Sequence, residues 1–89
     1  MSNITDKKPT SELMENLYLG STGVDVEKLQ QKLQELDFYG GSIDGLFGLG
    51  VEQAVKDFQD SQGFAPDGVA GVSVLVALGL LIIERDPLE

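Results

Sequence analysis

The feature that most limits how this chain can fold is an internal self-match. Asp44-Gly45-Leu46-Phe47-Gly48, with Val51, Ala54 and Val55 beyond it, returns 23 residues later as Asp67-Gly68-Val69-Ala70-Gly71, with Val74, Ala77 and Leu78 beyond. Asp before Gly makes a turn, because the carboxylate accepts from backbone N–H groups just downstream while Gly takes a φ closed to residues with a Cβ. The second glycines, Gly48 and Gly71, stand where the chain enters a helix and backbone N–H groups lack partners. A helix also precedes each turn, marked by Val26-x-x-Leu29-Gln30 and by Val55-x-x-Phe58-Gln59, with Phe38 and Phe64 following. The unit is helix, loop, Asp-Gly turn, and both copies share the middle helix. Gln30 and Gln59, each beside an apolar position, are placed to pin a loop carbonyl or N–H.

Periodicity supplies the elements. Val26, Leu29, Leu33 and Leu36 form one apolar helical stripe, and Thr22 with Asp25 three residues on reads as a capping box. Val51, Ala54, Val55 and Phe58 repeat at i, i+3, i+4 and i+7, with Gly63 as the C-terminal stop. Val72 to about Leu78 reads as a third helix on Val74, Ala77 and Leu78. The fold class expected is all-α: a small three-helix bundle with two Asp-Gly turn loops related by the repeat. Residues 1–19 read as an N-terminal arm or a short helix over Glu12–Leu19, residues 20–80 as the domain, and 81–89 as an apolar then polar tail. The arm has no apolar run after a basic start, so it does not read as a secretory signal. The uncharged stretch 69–83 is shorter than the roughly 20 residues that span a bilayer, so no membrane insertion is expected.

Composition removes whole classes of function. With 89 residues there is one small core and no second lobe to form a deep cleft. His, Cys and Trp are absent, so there is no histidine relay, no Cys/His zinc site and no disulfide. Six Lys and Arg against fifteen Asp and Glu leave a net charge of −9, the wrong sign for nucleic acid or an anionic membrane. Asp44 and Asp67 are the tempting acid pair, but their equivalent turns give them equivalent environments, whereas general acid–base work needs two different ones. No Asp-x-Asp-x-Asp-Gly spacing for calcium occurs, and Gly45–Gly50 lacks the order and the lysine of a phosphate loop. No catalytic residue, metal or cofactor is therefore expected.

The ordered motifs resemble the peptidoglycan-binding domain family. They are Gly20, Gly23, Val26, Leu29-Gln30 and Leu33, then Phe38-Tyr39-Gly40-Gly41-Ser42-Ile43-Asp44-Gly45-Leu46-Phe47-Gly48, then Ala54-Val55, Phe58-Gln59 and Asp67-Gly68-Val69-Ala70-Gly71. The likeness covers roughly residues 17–80. It implies a small three-helix bundle, a non-catalytic role, and attachment of a partner domain or protein assembly to cell-wall peptidoglycan, through stem peptide or glycan. It also implies a bacterial cell-envelope or extracellular setting if that role is kept. Asp37 departs from the family's usual Gly, and Leu49-Gly50-Val51 and Val72-Ser73-Val74 replace a Pro-x-Thr that often follows each second Gly. The lost threonines predict weaker helix starts.

A recogniser of an amide- and hydroxyl-rich polymer should present backbone groups, carboxylates and a stackable ring from a preformed concavity. The loop Tyr39–Asp44, with Ser42, set beside Asp67 of the second turn, offers that set, and Phe47 stands with it as a candidate contact. Phe38, Phe47, Phe58 and Phe64 otherwise read as core, and Gly45, Gly48, Gly68 and Gly71 as turn-formers. The competing expectation is a protein–protein interaction module that keeps the bundle and has lost the carbohydrate. It draws on apolar Val51 and Val74 in place of threonine and on the tail Leu80-Leu81-Ile82-Ile83.

Overall fold

A computed structural model describes residues 15–81. Three helices follow in order: α1 Val24–Glu35, α2 Leu49–Ser61 and α3 Val72–Ala77. Among the described residues no helix is long and apolar enough to cross a membrane.

The apolar stripes fold inward as the periodicity requires. Val26, Leu29 and Leu33 of α1, Val51, Ala54, Val55 and Phe58 of α2, and Val74, Leu75 and Leu78 at α3 form one buried cluster with Leu17, Phe47, Ala70 and Leu81. Burying a side chain of this size contributes about 1.5–3 kcal/mol. Phe38 adds an edge-to-face contact with Phe58, ring centroids 5.5 Å apart. Two stripe positions differ from expectation. Leu36 is 46% exposed because α1 has ended and Leu36 is its C-terminal cap, and Ala77 is exposed while Leu75 takes the inward place.

All three helices stop in the same way. Phe38, Phe64 and Leu80 donate N–H to the carbonyls of Leu33, Gln59 and Leu75, while Asp37, Gly63 and Gly79 donate to Gln34, Asp60 and Val76. This is the Schellman arrangement, which needs a left-handed residue just past the cap. Gly63 and Gly79 fill it at φ 81° and 80°, and Asp37 fills it at φ 68°, the one non-glycine among the described residues with positive φ.

The helix starts correct the capping expectation. Gly23, Gly48 and Gly71 precede α1, α2 and α3 with no side-chain cap bond. Thr22 does not form a capping box with Asp25, because it is held in an antiparallel bridge with Leu46. Gly23 N–H donates to Gly45 O at 3.0 Å and Phe47 N–H to Ser21 O at 2.9 Å, so the chain entering α1 is laced to the first turn. Residues 15–19 are not helical either. Leu17 exchanges two backbone bonds with Ala70, at 3.1 and 2.8 Å, and is 7% exposed. Residues 12–14 of the expected short helix lie outside the described residues, as do Ile82 and Ile83.

Candidate functional site

Each Asp-Gly turn is built on one buried glutamine. Gln30, on the inner face of α1, donates from Nε2 to Asp44 Oδ1 at 2.9 Å and to Leu46 O at 3.1 Å, and its Oε1 accepts from Gly45 N–H at 2.8 Å. Gln59 on α2 donates to Asp67 Oδ1 at 2.8 Å and Val69 O at 3.0 Å and accepts from Gly68 N–H at 2.9 Å. The carboxylates also accept from Leu46 N–H and Val69 N–H two residues on, at 3.0 and 2.9 Å. Gly45 and Gly68 sit at φ 77° and 80°, a region a Cβ disfavours. A side chain buried without such partners would cost about 1–3 kcal/mol per orphaned group, so the amides and turns hold each other in place.

The two aspartates share an electrostatic state as well. The Gln30 amide, then the Leu46 N–H, holds Asp44 below the ordinary aspartate value of 3.8. The Val69 N–H, then the Gln59 amide, does the same for Asp67. Hydrogen bonds to the charged form favour it, so both are ionised at neutral pH and neither is a proton donor there.

The turns differ in what surrounds them. In the first, Tyr39 Oη donates to Ser42 O at 2.8 Å and accepts a longer bond from Gln30, and Ser42 Oγ reaches Asp44 Oδ2 at 3.4 Å. A Cβ on Gly41 would lie 2.6 Å from Tyr39 Oη, so the ring fills its own loop. The structure thus brings Tyr39, Ser42 and Asp44 together, and their polar groups are taken up within the loop, by Gln30 and by Leu46 of the same turn. Phe47 is 2% exposed, so its ring is core and unavailable to a ligand, which corrects its place among the candidate contacts.

Asp67 is apart from that set. It lines an open cleft of about 580 Å³ together with Asn16, Phe64, Val69, Val72 and Ser73, and Tyr39, Ser42 and Asp44 do not line it. Sequence reasoning missed Asn16 and Ser73: they lie outside the matched repeat positions, and nothing local marks them. Asn16 also lines a second, polar cleft of about 470 Å³ with Glu15, Tyr18 and Asp25.

Comparison with known proteins bears on this scaffold directly. Residues 22–78 match the family described as "Putative peptidoglycan binding domain". The spore cortex-lytic enzyme of Oceanobacillus iheyensis is 50% identical over 52 residues, which are 58% of this chain and 19% of that protein. The N-acetylmuramoyl-L-alanine amidase CwlM of Mycobacterium tuberculosis is 44% identical over 59 residues, 66% of this chain and 14% of that protein. The chain thus spans less than a fifth of the length of either curated relative. The crystal structure of the SleB N-terminal domain superposes with a TM-score of 0.72 at 37% identity, covering 73% of this chain and 89% of that one. A match over most of the chain and a shared three-helix fold lead to one conclusion: the chain belongs to the peptidoglycan binding domain family.

Proposed function

We propose that the domain binds peptidoglycan without acting on it and carries a partner domain or assembly to the wall. The observation that supports this most is the family match over residues 22–78, on a scaffold whose two turn loops are fixed in advance by Gln30 and Gln59. Loops already ordered lose little freedom on binding, which favours a weak ligand made of repeated units. A partner is supported by the relatives, which bear the names of a spore cortex-lytic enzyme and an N-acetylmuramoyl-L-alanine amidase and are several times longer than the matched segment.

The non-catalytic reading rests on Asp44 and Asp67. A hydrolytic pair needs one carboxyl kept protonated and one ionised, and here the same bonding pushes both down. Three of the apolar residues that spoke for an interaction module have a simpler role. Val51, Val74 and Leu81 are 1%, 2% and 7% exposed and belong to the core.

Co-sedimentation with purified sacculi tests the reading. Retention above that of an acidic control protein of similar size, with no release of labelled wall fragments, is the expected result. Absence of retention sinks the binding function, and steady fragment release sinks the non-catalytic one.

A further inference from the structure

The repeat places one Asp-Gly turn at each of two sites, and the sites are not equivalent. The first is closed on itself: Tyr39 Oη is used by Ser42 O, and Asp44 Oδ2 by Ser42 Oγ. At the second, Asp67 Oδ1 accepts from Gln59 and Val69, and among the described residues no hydrogen bond to Oδ2 occurs, nor any from the side chains of Asn16 or Ser73. These three polar groups line the same cleft, with half-buried Phe64 and Val69 offering apolar surface.

The second cleft continues past Asn16 to Glu15 and Asp25, and no Lys or Arg lines either one. A ligand lying across the two meets the carboxylates of Asp67, Glu15 and Asp25, the amide of Asn16 and the hydroxyl of Ser73, with apolar surface beside Asp67. That complements an amide-rich chain with a free amine and offers no cationic side chain to phosphate or carboxylate groups.

We propose that the cleft between the Asn16 arm and the Asp67 turn, and not the Tyr39 loop, is the ligand site, and that it takes the amine-bearing stem peptide in preference to the glycan. The side-chain amine of the peptide's diamino acid pairs with Asp67 Oδ2, backbone amides meet Asn16 and Ser73, and aliphatic carbons lie on Phe64 and Val69. This rests on the cell-wall-binding reading and narrows it.

Amide chemical-shift titration tests it, using a disaccharide-peptide fragment of peptidoglycan with its diamino-acid amine free, the same fragment N-acetylated, and a peptide-free glycan oligomer. The free-amine fragment should move the signals of residues 64–74 and Asn16, and acetylation should weaken binding roughly five- to tenfold, the loss of one partly exposed ion pair with its hydrogen bond. Asp67→Asn keeps an oxygen for Gln59 and Val69 while removing the charge. It should bind the two fragments alike and retain the wild-type spectrum elsewhere. Asp44→Asn, in the closed turn, should discriminate between the fragments as the wild type does.

Shifts confined to Tyr39–Phe47, equal affinity for free and acetylated fragments, or stronger binding of the glycan oligomer would each overturn the assignment. Retention on sacculi separates the levels: if wild type and Asp67→Asn are retained equally, the site is wrong and the module stands. If the wild type is not retained, the cell-wall reading falls with it.

Discussion

Gln59 satisfies a backbone N–H, a backbone carbonyl and a carboxylate with one side chain that is 3% exposed, and Gln30 does the same at 0%. Gln59→Leu keeps the volume and removes all three partners, leaving Gly68 N–H and Val69 O facing apolar surface. The expected cost is about 2–4 kcal/mol, read as a lower urea midpoint at unchanged slope. A loss under about 1 kcal/mol would mean that water replaces the amide. The aspartates add a pH dependence whose sign is fixed by their direction of shift. Both are held below 3.8 in the folded state, so their stabilisation is present above the unfolded value and is lost as pH falls through the folded ones. Asp44→Asn/Asp67→Asn should therefore flatten the acid limb of a Tm–pH curve below about pH 4 and leave a smaller gap at pH 3 than at pH 6. An acid limb as steep as in the wild type would assign that limb to other carboxylates. The sequence made the Asp-Gly turns and the pinning amides legible because both are local chemistry. It left the difference between the two turns hidden, since that depends on Tyr39 folding back over Ser42 and on Asn16 arriving from far away in the chain.

Helix ends show where local rules succeed and where they are overruled. Gly63 declares the end of α2 outright, and the same geometry at Gly79 and Asp37 ends α3 and α1. Asp37, which breaks the family's preference for Gly, has no side-chain hydrogen bond among the described residues, so it bears the left-handed conformation without local compensation. Asp37→Gly should stabilise the domain by about 0.5–1 kcal/mol after allowing for the greater freedom of glycine in the unfolded chain. For a domain of this size that is a rise in Tm of about 2–8 °C. No rise would mean that unfolded-chain entropy cancels the relief, and a fall would reveal a bond made by the carboxylate. The helix starts were less legible. Thr22 has the composition of a cap, yet its backbone pairs with Leu46, and a bridge between residues so distant in sequence leaves no periodic trace. Val51 and Val74, which read as lost caps, are buried next to glycine caps, and their methyl groups serve the core where a threonine hydroxyl would need a partner.

Across the molecule, two short bridges do what no helix does: Leu17 with Ala70 and Thr22 with Leu46 tie the segment before α1 to both turns. Leu17→Ala should cost about 2–4 kcal/mol in denaturant unfolding, since it empties a buried position and loosens the arm that carries Asn16. Charge acts on the same scale. Residues 20–80 carry nine acids against three lysines, which is most of the net −9 of the chain. At low ionic strength such a surface is repelled by the phosphate-rich polymers that accompany peptidoglycan in many walls, and at about 0.15 M salt the repulsion reaches only about 8 Å. Sacculi stripped of those polymers with hydrofluoric acid should therefore retain the domain about two- to fivefold more strongly than unstripped ones at roughly 20 mM salt. The gap should close by about 0.5 M, where the screening length falls to a few ångströms. Binding to the neutral and amine-bearing parts should survive that salt better than the gap does, because apolar contact and uncharged hydrogen bonds are screened little. If unstripped walls retain more protein at low salt, the domain holds an anion after all, and the balance of charge would have to yield to a local cluster of Lys28, Lys32 or Lys56.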